Sequence, residues 1–438
     1  MTAEIAIANQ RGAALAADSA ITVGTGSGEK IFQSANKVFA LSKYHPIGVM
    51  IYNNANFMGI HWETILKLFR ETLGRDGFPT LREYADAFME FLETNRVLFP
   101  SEQQVEYARQ KVLSVFIEIR ERMMNEFYKR MTKSEGAPSD LAERTLSDVI
   151  DSNYQIVRTA EAFVDRSGNK ISDDTVDQIT QEHANMIRDC RTDVFKSLPL
   201  SSSNSRKLRI IAEASLTKEL DTDQYTGVVV AGYGNDEFFP HLLSFHFEGV
   251  VCDHLKGTMN EDYAITFKQR GAIFPFAQSE VVLNFLRGID PAYYRVVTSE
   301  IQTAIATFTE AIVARYFTSE EDKAVARALR TLGRSLIGES TDKLRRIQRE
   351  KFVDPILDIV ISLPKLELAS MAESLVNLTS LRRRMSTDAE NVGGPIDVAL
   401  ITKGDGLVWI KRKHYFDADL NYHFFQNYFR ETRREDTK

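Results

Sequence analysis

The chain has 438 residues, 43% of them hydrophobic and 26% charged, enough to bury a sizeable core in one to three domains. A net charge of −7 and a pI of about 5.8 exclude a general nucleic-acid binder. The two cysteines, Cys190 and Cys252, are too few for a disulfide framework and suit a reducing cytosol, and no apolar run reaches membrane-spanning length.

Residues 1–41 read as two short strands, a Gly-rich connection and a third strand. Ala3, Ile5 and Ile7 alternate with Glu4, Ala6 and Ala8, and Asn9-Gln10-Arg11-Gly12 is turn chemistry. Asn9, Gln10 and Arg11 also interrupt any signal-peptide core. Folding the hairpin about Gln10 sets Thr2 opposite Asp18, with Cβ atoms about 5 Å apart on one face of the sheet. A strand at Lys37-Val38-Phe39-Ala40-Leu41 brings an ammonium to the same place. Trimming of Met1 would leave Thr2 with a free α-amine beside its own Oγ, and the amine can act as the base that activates the hydroxyl. Lys37 would lower the pKa of both groups through its charge, and Asp18 would hold Lys37. Taken alone, an Asp at a strand end is usually a solvated cap. Lys30 competes with Lys37 but lacks its strand context. The stretch Gly24 to Lys30 lacks phosphate-loop spacing and reads as a hairpin connector.

The turn at His45-Pro46 separates this strand from the next, which closes with Tyr52-Asn53-Asn54. Apolar residues at helical spacing predict helices over His61–Leu73 and Leu81–Glu93, stopped by Gly74 and started by Pro79-Thr80. Further helical patterns cover Gln103–Met131, Ser139–Ile150, Ala160–Val164 and Asp173–Phe195. The charges of the first of these read as a solvated face. After a Ser-rich connector, residues 209–214 read as a strand, and residues 227–234 and 238–251 as a hairpin. His241 and His246, five apart on a strand, point to opposite faces, so no shared metal is expected. Cys252-Asp253-His254 reads as a structural cysteine with neighbours too close to face it. Residues 268–278 form a strand-to-helix corner, followed by a helix over Glu280–Arg287, a helical stretch over Pro291–Lys351, a helix over Leu363–Arg384, and strands at 395–402 and 406–410. The tail from Tyr415 is aromatic and ends in a charged run from Arg430 to Lys438.

The N-terminal stretch resembles proteasome β-subunits and the bacterial HslV peptidase, N-terminal nucleophile hydrolases. Thr2, Gly12, Ala16-Ala17-Asp18-Ser19 and Asn36-Lys37-Val38-Phe39 carry the resemblance, with the Thr2-to-Asp18 spacing kept without a gap. It covers about half of the chain, in order. The resemblance implies a backbone N–H oxyanion donor at the strand end near Asn53, and support for the nucleophile from an Asp and a Ser-Gly near the C-terminus. Gly393 and Gly394 fit the latter, Val392 stands at the Ser position, and Asp388 lies one residue off register. The Ser-Gly of the strand-to-helix corner is absent, with Gln278 or Ser279 as substitutes.

The fold expected is α+β, a four-layer αββα sandwich with helical insertions. It divides into residues 1–97 and 206–290 of the sandwich, an insertion over 98–205, a second insertion over 291–360, the final helix and strands over 361–412 and a tail over 413–438. The expected function is a cytoplasmic threonine peptidase acting through an acyl-enzyme on Thr2, with Asp18, Lys37, Asn53 and Asp388 as site residues and no cofactor or metal. Partners implied by the resemblance are a protein or peptide substrate, a homo-oligomeric ring and a separate ATPase or regulator, with no nucleic acid and no membrane. The alternatives are a catalytically silent scaffold and an amidase for a non-peptide amide. Silent members carry an N-terminal extension before the first strand.

Overall fold

The structure, a computed structural model, describes residues 3–23, 30–132, 138–166, 168–198, 200–317, 322–385 and 393–414, with 416, 417, 419–423 and 426 beyond them. In chain order the first strands are β1 (Ala3–Asn9), β2 (Gly12–Ala17), β3 (Ile21–Val23), β4 (Lys30–Phe32), β5 (Val38–Ala40), β6 (Ile47–Tyr52), β7 (Asn56–Phe57) and β8 (Ile60–His61). Six helices follow: α1 (Trp62–Leu73), α2 (Leu81–Thr94), α3 (Ser101–Met131), α4 (Pro138–Thr159), α5 (Asp173–Phe195) and α6 (Ser202–Thr217). Strands return as β9 (Thr226–Gly232), β10 (His241–Val251), β11 (His254–Ala264) and β12 (Gly271–Ala277). Then come α7 (Ser279–Arg287), α8 (Pro291–Tyr316), α9 (Lys323–Gln348), a π-helical turn over Arg349–Val353, α10 (Asp354–Ser362), α11 (Lys365–Arg384), β13 (Asp397–Thr402) and β14 (Gly406–Lys411).

This is an α+β fold with antiparallel sheets. One five-stranded sheet runs β12-β1-β2-β13-β14 and the other β11-β10-β9-β6-β5. Their facing sides share a core of Ala6, Ala8, Leu15 and Ala17 with Met50, Val229, Ala231 and Leu242. The opposite face of the first sheet, with Ile5, Ile7, Ala14 and Ala16, packs on Leu368, Ala372 and Val376 of α11. The opposite face of the second packs on Trp62, Phe69, Tyr84 and Phe88 of α1 and α2. Because β1 and β2 are buried on both faces, their sequences are almost uniformly small and apolar rather than alternating. A separate core of Val112, Phe116, Ile150, Ile187 and Leu208 unites α3 to α6. The α8–α9 pair buries few side chains and exposes Phe308, Leu332 and Leu336. Among the described residues no helix is long and apolar enough to cross a membrane.

Four sequence expectations need correction. The first hairpin turns on two residues, Gln10 and Arg11, with the Arg11 N–H donated to Asn9 Oδ1 at 2.8 Å, so paired numbers sum to 21, as in Glu4 with Ala17. Asp18 therefore lies beside Ala3 rather than opposite Thr2. Residues 209–214 are helical, not a strand: the Ser201 hydroxyl caps α6, and Leu208, Ile211 and Ala212 follow the helical period that Ile210-Ile211 disguises. Residues 160–164 form isolated bridges, Ala162 to Lys218 and Val164 to Lys170, instead of a helix. Finally, β11 lies where no strand was expected, reached through a two-residue turn with positive φ at Cys252 (46°) and Asp253 (68°), a geometry normally signalled by Asn-Gly.

Candidate active site

At one end of the space between the sheets, three charged side chains meet out of water. Lys37, just before β5, is 4% exposed, and its ammonium lies 2.5 Å from Asp18 Oδ1 and 3.2 Å from Glu4 Oε1. Its backbone is fixed by the Ile51 N–H, which donates to Lys37 O at 2.8 Å. Asp18 follows directly on β2, so it escapes the strand's alternation and turns toward Lys37. Its Oδ1 also accepts the Ala3 N–H at 3.2 Å, and its Oδ2 accepts the Gly393 N–H at 2.9 Å. Ser19 braces the same corner, its N–H on Gly393 O at 3.2 Å and its hydroxyl on Pro395 O. Buried charge is tolerable only when paired and hydrogen-bonded, and Asp18 meets that condition on both oxygens.

Of the residues singled out in the sequence, Asp18 and Lys37 are thus brought together. Thr2 and Asp388 lie outside the described residues. The Ala3 N–H that reaches Asp18 is the amide joining residue 3 to Thr2. Asn53 stands elsewhere: it is exposed, has a φ of 70°, and gives its side-chain N–H groups to Asp223 O (2.9 Å) and Tyr225 O (2.8 Å). Its side chain is therefore committed to the loop before β9. Lys30 starts β4 and is exposed.

Glu4 was not singled out by sequence reasoning. The signal was present, since it is the single acid in the strand Ala3–Asn9 and shares its face with Ala6 and Ala8. Next to it, the Tyr52 hydroxyl and His246 Nε2 share a hydrogen bond of 2.8 Å, and Tyr225 stacks on the His246 ring with centroids 3.7 Å apart. Burial pushes the Tyr52 hydroxyl up and holds His246 down to about 4, so both partners of this hydrogen bond are neutral near pH 7. His246 in the folded chain therefore binds its proton below the ordinary histidine range. Stability tied to it is complete above about pH 6.5 and lost as pH falls toward 4, because the unfolded chain binds the proton first. In an NMR titration the His246 ring is expected to stay neutral at pH 5.5, and in Tyr52→Phe its midpoint is expected to move. A midpoint at or above 6.5 in the wild-type chain would contradict the buried pairing.

One group of side chains resembles a metal-ligand set. Cys252 Sγ donates to Glu182 Oε2 at 3.1 Å and lies 4.0 Å from His183 Nδ1. Since His183 Nδ1 donates to the Ile179 carbonyl at 2.9 Å, that nitrogen carries a hydrogen and is not a ligand as placed. Burial and Glu182 push the Cys252 thiol up to about 12, so it is no nucleophile either.

No protein-family model matches the sequence, and no curated protein matches it. Among solved structures the chain is similar to a Gly-1 mutant of Anbu from Hyphomicrobium sp. strain MC1, at 10% identity over 100% of this chain and 97% of that one, with a TM-score of 0.28. It is similar to Anbu in a helical assembly from Pseudomonas aeruginosa, at 8% identity over 98% and 96% of the chains and a TM-score of 0.30. It is also similar to Anbu, named there as ancestral beta-subunit, from Yersinia bercovieri, at 9% identity over 98% and 96% and a TM-score of 0.25. Likeness at this level decides nothing about activity. It does correct the resemblance drawn from the N-terminal motif: the similar structures are Anbu proteins, and neither a family model nor a curated protein supports a place among HslV-like peptidases.

Proposed function

We propose that the chain hydrolyses amide bonds with Thr2 as an N-terminal nucleophile, on a four-layer αββα sandwich. The observation that supports this reading is the buried Lys37 ammonium, paired with Asp18, at the corner where the amide between Thr2 and Ala3 is also held. In this reading Thr2 is the first residue of the mature chain. Its α-amine takes the proton from its own Oγ, the Oγ attacks the amide carbonyl, and the amine returns the proton to the leaving nitrogen. Water then releases the acyl group. Lys37 supplies fixed positive charge beside Thr2, lowering the pKa of its amine and hydroxyl, and Asp18 keeps it in place.

The test pairs intact mass with turnover of fluorogenic peptide amides. Loss of Met1, with hydrolysis that falls on the order of a thousandfold or more in Thr2→Ala, is the expected result. Retained Met1, or turnover unchanged in Thr2→Ala, would rule the nucleophile out. A second reading, a non-catalytic assembly subunit, is favoured by the exposed apolar row Phe308, Leu332 and Leu336 on α8 and α9. It predicts self-association by light scattering that Leu332→Glu with Leu336→Glu abolishes.

A further inference from the structure

We propose that His241 is a proton-operated latch on β11, an edge strand of the second sheet. As an imidazolium it ties that strand to the loop before β10. On losing its proton it lets the outer half of β11 open over a cavity beside Phe276. The use of that cavity by a substrate rests on the hydrolase reading, whereas the latch itself is read from geometry. The His241 ring is held between two carboxylates, with Nδ1 3.2 Å from Glu237 Oε1 and Nε2 2.7 Å from Asp262 Oδ1. A neutral imidazole carries one N–H, so only the imidazolium can donate to both. Burial works against the charged ring, but the hydrogen bonds to Glu237 and Asp262 outweigh it and raise the His241 pKa.

The two carboxylates are held unequally. Glu237 Oε2 also accepts the Gly234 N–H at 2.6 Å and the Leu81 N–H at 3.1 Å, so Glu237 stays in place without the ring. Asp262, its side chain 45% exposed, has Arg82 of α2 as its other partner, with Nη1 3.5 Å from Oδ2. Arg82 is shared with Asp86, which its Nε reaches at 3.0 Å. On the remaining side β9 sets Gly232, which brings no charge, opposite His241. Loss of the ring proton therefore leaves a ring lone pair against one carboxylate, and the carboxylate that can turn to water is Asp262.

Release at Asp262 has room to act. β11 lies at the edge of its sheet, and its pairing with β10 shifts register at Asn260, since Ser244 pairs with Glu261 and Phe245 with Met259. Beyond that bulge, Glu261 to Ala264 are joined to β10 by four pairs, with no strand on their other side. The same stretch walls the cavity. Asn260 and Ser244 hydrogen-bond the Tyr52 hydroxyl with their side chains, and the Tyr263 ring meets Phe274 with centroids 5.1 Å apart. Tyr52, Ser244, Asn260, Phe274 and Phe276 line this cavity of about 340 Å³, and Phe276 is the cross-strand partner of Glu4 at the charged corner. Because the folded chain holds the His241 proton above the ordinary histidine value of about 6.5, the latch is fully closed below that pH. It lets go as pH rises through the folded value, and the cavity that adjoins the charged corner widens.

The test is hydrogen exchange of the full chain, with rates corrected for the intrinsic effect of pH, which needs no turnover. Between pH 6 and pH 9, protection of the amides of residues 261–264 is expected to fall about tenfold more than that of β9, the central strand of the same sheet. His241→Gln keeps a donor but no charge, and should show weak protection at both pH values. Asp262→Asn, whose amide can bond either form of the ring, should hold the strand at both. No fall in the wild-type chain, or a fall of the same size in His241→Gln, overturns the latch. Protection of β9 also shows that each variant is folded. Where His241→Gln is not, a fall that persists in Asp262→Asn overturns the latch in its place. Hydrolysis is scored apart. Exchange that follows pH in a chain without turnover sinks only the hydrolase reading, and turnover in a chain whose β11 exchange ignores pH sinks only the latch.

Discussion

Lys37→Met is expected to lower stability by about 3–5 kcal/mol and to abolish amide hydrolysis even where the chain stays folded. The side chains of Lys37, Asp18 and Glu4 are 5% exposed or less, and one ammonium serves two carboxylates. Methionine keeps most of the volume, so the loss measures charge rather than a cavity. Removing the ammonium takes from both carboxylates their shared cation in a low-dielectric corner, while Asp18 keeps its N–H donors from Ala3 and Gly393. The check is the urea midpoint of the variant, with Lys37→Met combined with Glu4→Gln as control. The double variant carries one buried charge fewer and should regain part of the stability without regaining activity. A midpoint equal to wild type would show that water reaches the ammonium and that the corner is not dry.

A second large effect is expected far from that corner, at Glu248. Its Oε2 lies 2.7 Å from Lys111 Nζ and 3.2 Å from Lys256 Nζ, and Lys256 also donates to Ser215 O at 2.8 Å. Lys111 belongs to α3, Ser215 to α6, and Glu248 and Lys256 to the hairpin β10–β11, so this cluster ties the helical core to the second sheet. Glu248→Gln leaves two buried ammonium groups without their carboxylate, with an expected cost of about 3–5 kcal/mol. Burial already lowers the Lys256 pKa, and Glu248 opposes that shift. The unfolded chain therefore holds the Lys256 proton to higher pH than the folded one, and stability rises with pH up to about 10.5. Without Glu248 the depression deepens, so the variant should recover stability on raising pH more steeply than the wild type. Urea midpoints at pH 7 and 9 decide it. A variant whose deficit is the same at both values would mean that Lys256 is not the group left stranded.

These two clusters differ in how far the chain announces them. Asp18 and Lys37 are legible through the motifs and spacing that resemble a known family, since an Asp at a strand end taken alone reads as a solvated cap. Glu4 stands out as the single acid in its strand, yet which partner it finds depends on β5 of the other sheet crossing above it. The first hairpin shows the limit of local reading. Its strands follow from composition, but its register hangs on a two-residue turn closed by one Asn9 side chain, and a shift of one residue moved Asp18 from opposite Thr2 to beside Ala3. At residues 209–214 a pair of β-branched residues suggested a strand, and packing on α4 and α5 decided for a helix.

Periodicity and turn chemistry thus specify most strands and helices of this chain, since side-chain spacing along a strand or helix is a property of neighbours in sequence. Lys111, Glu248 and Lys256 carry no such mark, and nor do Ser244 and Phe276. They acquire meaning only where distant segments come within a hydrogen bond's length, and that closeness is set by how the sheets stack and the helices settle on them, which no spacing along the chain encodes.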